Sequence, residues 1–207
     1  MKIIELLVGA CISFGRNIIG IVFRPYESYR RIADHGSLIE LIYIGFVLAF
    51  YFGLASLVHT SQFRPFLLTK EFVLLAGGAF FTYILVVGLV WNIGVLAGGK
   101  GTLRAVLLGW GYTLIPTVFW FLVTSLLYVI LPPPRTTSVA GVSFSVLFLV
   151  FSTVLFFWKV ILAYLTMRFG LRLDLGRIVI VTLITVPILV FYSMLMYRWG
   201  IFRVPFL

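Results

Sequence analysis

Polar and apolar positions fall into long blocks along this chain. Between charged residues lie runs of 23, 28, 30, 32 and 20 residues at 41–63, 72–99, 105–134, 136–167 and 178–197, and only Lys159 interrupts the fourth. About 20 apolar residues cross a bilayer's hydrocarbon core as a helix, so every run is long enough. The pattern predicts transmembrane helices near 38–58, 72–97, 104–131, 142–167 and 178–197. The expected fold class is all-α: a polytopic membrane protein with five transmembrane helices preceded by an N-terminal amphipathic helix. The domain division that follows is 1–37 as a cytoplasmic interfacial segment and 38–207 as the membrane domain.

Before the first run the pattern changes. At about 100° per residue, Lys2, Glu5, Gly9, Ser13, Arg16, Asn17, Gly20 and Arg24 share one stripe, with Ile, Leu, Val and Phe around the rest. Two placements fit this stripe: a helix lying in the membrane interface, or one half-buried against the bundle. A secretory signal fits poorly, because Glu5 breaks the apolar segment and Arg16 follows soon after. Pro25 ends this helix or opens the next. Tyr26, Tyr29 and Ile32 then recur at helical spacing, and Glu27 stands four residues before Arg31. A second short helix ending near Gly36, with a Glu27–Arg31 surface pair, is expected.

Composition agrees with a membrane protein. Of 207 residues, 62% are hydrophobic and 11% charged, where an average soluble domain has about 25% charged. The net charge of +10 raises nucleic acid as a partner, but no Lys/Arg-rich run interleaved with aromatics is present, so no nucleic-acid partner is expected. The cations instead divide by side. Ten Lys/Arg fall on the N-terminal segment and the second and fourth loops, against five on the opposite side. The positive-inside rule then sets the N-terminus inside and the C-terminus outside, with anionic lipid headgroups as the partners of the basic face. The outer loop carrying Pro132, Pro133 and Pro134 is too short and stiff for a separate domain.

Catalytic raw material is scarce. Cys11 is the single cysteine, His35 and His59 fall on opposite predicted sides, and no carboxylate pair, nucleophile triad or His-Glu-x-x-His segment exists. The chain is expected to be no enzyme and to hold neither cofactor nor metal. Lys159 is the one charge well inside a predicted span, about 13 Å from the span's inner end. It either snorkels to headgroups beside Trp158 or faces the bundle, where Glu40 is the nearest carboxylate by depth. Both are candidate binding residues. At residues 98–116 a basic turn, Gly98-Gly99-Lys100-Gly101, runs into an apolar helix bearing Gly109, Gly111 and Pro116. This is a turn and no phosphate loop, since the Gly-Lys-Ser/Thr pattern is missing. Pro116 and Pro187 predict one freed carbonyl and one kink each.

These residues carry a resemblance. Pro25 with Phe23, Tyr26, Tyr29 and Ile32 before the first span; Gly98, Gly99 and Gly101 followed by Gly111-Tyr112-x-x-x-Pro116; and Trp158 ahead of Gly170-Leu171 together resemble the Yip1 family of five-span membrane proteins. Eukaryotic members act in trafficking and contact Rab GTPases. This chain departs from them, with no long acidic N-terminus and no Asp-Leu-Tyr-Gly-Pro element, and is more similar to the compact prokaryotic branch. The resemblance implies a prokaryotic plasma-membrane protein, sometimes encoded beside ABC-type exporters, which makes such an exporter an expected membrane-protein partner and leaves a homo-oligomer open. With catalytic groups and dense intramembrane charge lacking, the leading expectation is a non-enzymatic adaptor for a transport or envelope-maintenance complex. A small transporter or lipid-translocating protein with a polar site at Lys159 is the alternative.

Overall fold

A computed structural model describes residues 2–59, 65–130 and 139–201. Among them the chain is helical throughout: α1 (Lys2–Phe23), α2 (Pro25–His35), α3 (Glu40–His59), α4 (Pro65–Leu96), α5 (Leu103–Tyr112), α6 (Ile115–Ile130), α7 (Val139–Leu165) and α8 (Leu175–Arg198), with a π-helical turn over Thr166–Gly170 after α7. The triple-proline loop and Arg64, Arg135 and Arg203 lie outside the described residues.

Among the described residues, five helices are long and apolar enough to cross a membrane by length and composition: Ile4–Phe23, Phe72–Leu96, Leu103–Leu127, Gly141–Gly170 and Leu175–Arg198. Four of them coincide with the expected second to fifth spans and the other is α1; in α3 the described apolar stretch is Glu40–Leu54. Over its 20 residues α3 is nevertheless about 30 Å long, sufficient to cross.

Helix boundaries follow local chemistry. Pro25 is the first residue of α2 and Pro65 the first of α4, positions whose N–H would have no intrahelical partner anyway. The expected single helix over 104–131 is instead two. The missing N–H of Pro116 and the bulk of its ring deny Tyr112 its regular partner, and the chain breaks at Thr113–Leu114 before α6 starts. Thr113 N and Leu114 N bond back to Gly109 O and Gly111 O at 3.2 and 3.1 Å. Pro187, by contrast, stays inside a continuous α8.

Gly98 ends α4 with φ +88°, and Gly99 N→Gly94 O and Gly98 N→Val95 O, both 2.9 Å, complete a Schellman closure that needs the left-handed residue. Lys100 N and Gly101 N then donate to one acceptor, the carbonyl of Leu171, at 3.0 and 3.1 Å. Backbone lies on backbone here: a Cβ at Gly101 would fall on the Gly170 carbonyl. Thr102 caps α5 by accepting from Ala105 N at 3.2 Å. The turn before α5 is thus fastened to the turn before α8.

Two large clusters, beside a small one around Tyr51 and Phe52, form the core of the described residues. Ile21, Tyr29, Ile32, Ile44, Leu108, Tyr112 and Leu162 join α1, α2, α3, α5 and α7. Val87, Val90, Val106, Leu171, Ile178 and Val181 join α4, α5, the π turn's exit and α8. α5 is shared by both, so it is the element on which the others assemble.

Gly101→Ala is expected to lower the stability of the detergent-solubilised protein by about 2 kcal/mol or more, as steric intrusions on fixed backbone do. Gly176, around which nothing lies within 4 Å of an added Cβ, is the control: Gly176→Ala should stay within about 0.5 kcal/mol or gain slightly. Thermal unfolding of both variants followed by circular dichroism checks this.

Candidate functional site

Where α1, α2, α3 and α5 meet, polar side chains are sealed from solvent. Glu40, the first residue of α3, is 1% exposed and Asn17 of α1 is 3% exposed. A carboxylate so placed must be satisfied by donors, because an unpaired buried charge is costly. Glu40 Oε2 accepts from Asn17 Nδ2 at 2.8 Å and from the Tyr112 hydroxyl, and Glu40 Oε1 accepts from Ser37 N at 3.1 Å. Asn17 Oδ1 in turn accepts from Arg31 Nε and Nη2 at 3.2 and 2.8 Å. The amide thereby relays between a guanidinium and a carboxylate: its acceptor faces the cation and its donor faces the anion.

The helix stripe reads differently in this light. Asn17 and Gly20, on the polar stripe of α1, turn inward, Gly20 against Ser28. Ile4, Val8, Ile12, Ile19 and Phe23 are exposed. Arg31 makes no surface pair with Glu27: Glu27 pairs with Arg24 at 3.7 Å, and Arg31 is drawn inward because Asn17 offers it a half-buried acceptor. The Tyr43 hydroxyl adds a second fastening, donating to Leu7 O at 2.8 Å.

The other sequence candidates separate into groups. Tyr29, 1% exposed, donates to Gly109 O at 3.3 Å and docks α2 on α5. Burial pushes its phenol well above the ordinary range, so it remains a protonated donor. Pro25 starts its helix. Gly111 lets Leu41 and Ile44 of α3 close on α5 beside Tyr112. Gly98, Gly99 and Gly101 belong to the turn held by Leu171. Trp158 packs on Phe119, ring centroids 6.3 Å apart, and Pro116 follows the break at Thr113–Leu114. Lys159 and Glu40 do not pair. Lys159 Nζ bonds Thr117 Oγ1 of α6 at 2.9 Å, while Glu40 bonds Asn17, Tyr112 and Ser37 N. Pro187 is exposed on α8 and joins none of these groups.

Asn17, Arg31 and Thr117 are participants that sequence reasoning missed as a set. The available signal was Asn17, an amide on a stripe otherwise ascribed to water. The π turn and the positive φ of Arg172, 56°, had no signal. Among the described residues no group of three His, Cys, Asp or Glu could hold a metal ion. An apolar crevice of about 210 Å³ lies between α1, α3 and α6, lined by Phe14, Ile18, Ile44, Val47, Val118 and Leu122 among others.

The family model described as Yip1 domain matches residues 19–197. The chain belongs to the Yip1 family. It is therefore a membrane protein of the Yip1 family, and the residues that carried the resemblance come mostly to one end of the bundle, around α2, α5 and the π turn. The Yip1 match begins inside α1, two residues after Asn17, and takes in Arg31, Glu40 and Tyr112. No curated protein and no solved structure matches the chain.

The relay predicts coupling. Asn17→Ala and Glu40→Gln should each destabilise, and a double-mutant cycle should return an interaction of about 0.5–3 kcal/mol, as for groups in one network. Hydrogen exchange should rise across α1 and α2 in both single variants while α8, remote from the network, stays protected. Equal exchange in α1 and α8 would contradict the fastening role.

Proposed function

We propose that this Yip1 protein is a non-enzymatic membrane adaptor of a prokaryotic plasma membrane, assisting a transport or envelope-maintenance complex. In this reading residues 1–37 form a cytoplasmic segment held against the membrane domain, the N-terminus is cytoplasmic and the C-terminus outside. Partners are anionic headgroups at the basic face and a membrane protein, for which an ABC-type exporter is the leading class.

The observation that carries the reading is the use made of the buried polar groups. Glu40, Asn17, Tyr112 and Arg31 bond one another and thereby fasten helices, whereas catalytic groups are aimed at a place where a substrate sits. The described crevice offers only apolar walls. Support for a shallow α1 comes from its two fastenings, Asn17 to Glu40 and Leu7 to Tyr43, which both fall on the first turn of α3. Fixing α1 and α2 presents a firm basic surface, which is what recognition of a partner requires and what turnover does not.

One observation favours the second reading, a small transporter or lipid translocator. Lys159 reaches α6 inside a predicted span, next to the break before Pro116. The adaptor reading expects Lys159→Met to leave lipid flux in proteoliposomes unchanged with the fold intact. Flux that requires Lys159 would transfer the assignment to translocation.

Affinity capture from native membranes into nanodiscs, read by quantitative mass spectrometry, tests the main reading. A stoichiometric membrane-protein partner is expected, and it should be lost when Asn17→Leu releases the N-terminal helices. Recovery of the protein alone under several mild extractions would defeat the adaptor assignment.

A further inference from the structure

The cations at the basic end are not evenly spread. Because Lys100 N lies on Leu171 O, the Lys100 and Arg172 backbones are neighbours. Arg172 leaves its turn through a positive φ and its guanidinium reaches Asp34 at 4.0 Å. Arg104 Nη2 donates to the carbonyls of Ala33 and Asp34 at 3.3 and 3.0 Å. Arg177 Nη1 donates to Gly98 O at 3.2 Å. Four cations from two segments, 100–104 and 172–177, therefore gather around one joint, and the Asp34 carboxylate reaches one of them, Arg172. Asp174, the other acid nearby, is held by Arg168 at 3.2 Å. Like charges gathered at one joint repel, so the patch is better satisfied with an anion than without.

The same joint has an apolar border. Leu96, 86% exposed, and Leu175, 63% exposed, each stand two residues before the groups that make the Arg177–Gly98 bond. Both are at the ends of helices long enough to cross the membrane. A ligand meeting this border and these cations together has a negative head and a hydrocarbon body.

We propose that Lys100, Arg172 and Arg177, backed by Arg104, form a headgroup site for an anionic phospholipid, with Leu96 and Leu175 against its chains. The site deepens the partner reading above, resting on its assignment of the basic end to a lipid surface, and gives those headgroups a defined address. A phosphodiester offers acceptors to several donors at once, which suits guanidinium groups particularly well. The fixed backbone joint holds the donors in place before the lipid arrives, lowering the ordering cost of binding.

The test uses the full chain in mild detergent, titrated with phosphatidylglycerol or phosphatidylcholine and read by native mass spectrometry. Phosphatidylglycerol should be retained preferentially, and the K100Q/R172Q/R177Q triple variant should lose at least about tenfold in that preference. K100Q alone guards against misfolding, since no hydrogen bond of the Lys100 side chain is seen among the described residues, and it should show a partial loss. R172K/R177K, which keeps the charges and loses the forked donors, should fall between the parent and the triple variant, and R24Q, whose cation pairs with Glu27, should keep all of the preference. Equal retention of the two lipids, or a triple variant that folds and retains its preference, would overturn the site and leave the cations to an acidic protein segment. Inorganic phosphate that displaces the lipid at matching concentration would show that free phosphate is the ligand, which also overturns it. Partner capture in nanodiscs of phosphatidylcholine alone reports on the adaptor reading separately.

Discussion

A carboxylate taken out of water has to be surrounded by donors, and the arrangement of this protein's N-terminal half follows from how Glu40 meets that demand. Its oxygens take an amide from α1, a phenol from α5 and a backbone N–H from the turn that precedes α3. The Ser37 N–H is local, but the amide and the phenol come from distant pieces of chain and are supplied only when α1, α3 and α5 are in register. Arg31 of α2 is added through Asn17, which places a positive charge near the carboxylate without direct contact. Removing one partner strands the others, which makes such a network more effective at specifying an arrangement than at adding net stability.

The second organising constraint is made of backbone alone. Leu171 O receives Lys100 N and Gly101 N, and this contact is possible only because Gly101 presents no side chain toward Gly170. α5 starts at this joint and Tyr112, its last residue, reaches Glu40. A short helix of 10 residues therefore connects the two constraints. The Yip1 pattern is concentrated on α5 and its flanks because both ends of that helix are fixed by contacts few residue types can make.

Function is read from what these contacts leave exposed. The carboxylate, amide and phenol are spent on holding helices, while Lys100, Arg172 and Arg177 remain at the surface around a rigid joint. Bonded Glu40, Asn17 and Tyr112 inside and concentrated charge outside are what the proposed adaptor reading rests on. Among the described residues, Lys159, resting on Thr117 at 2.9 Å, is what favours a path through the bilayer instead.

Sequence alone determined the solvent of this protein. Uninterrupted apolar runs can be covered only by lipid or by one another, so the helical class and the approximate spans were legible, as were Pro25 as a helix boundary and Gly98 as a turn residue, whereas the start of α4 at Pro65 was not. Family membership was legible from the glycines, Tyr112 and Pro116, because steric and backbone demands tie residue type to place. Tertiary structure decided which way each helix is turned. The stripe containing Asn17 has the same angular position whether it meets water or Glu40, and only the neighbouring helices choose between them. The same holds for Glu40 and Lys159, whose shared depth suggested a pair although their partners are Tyr112 and Thr117. Depth is written in the order of residues along one helix. Partnership depends on the rotation of two, and no single segment carries that information.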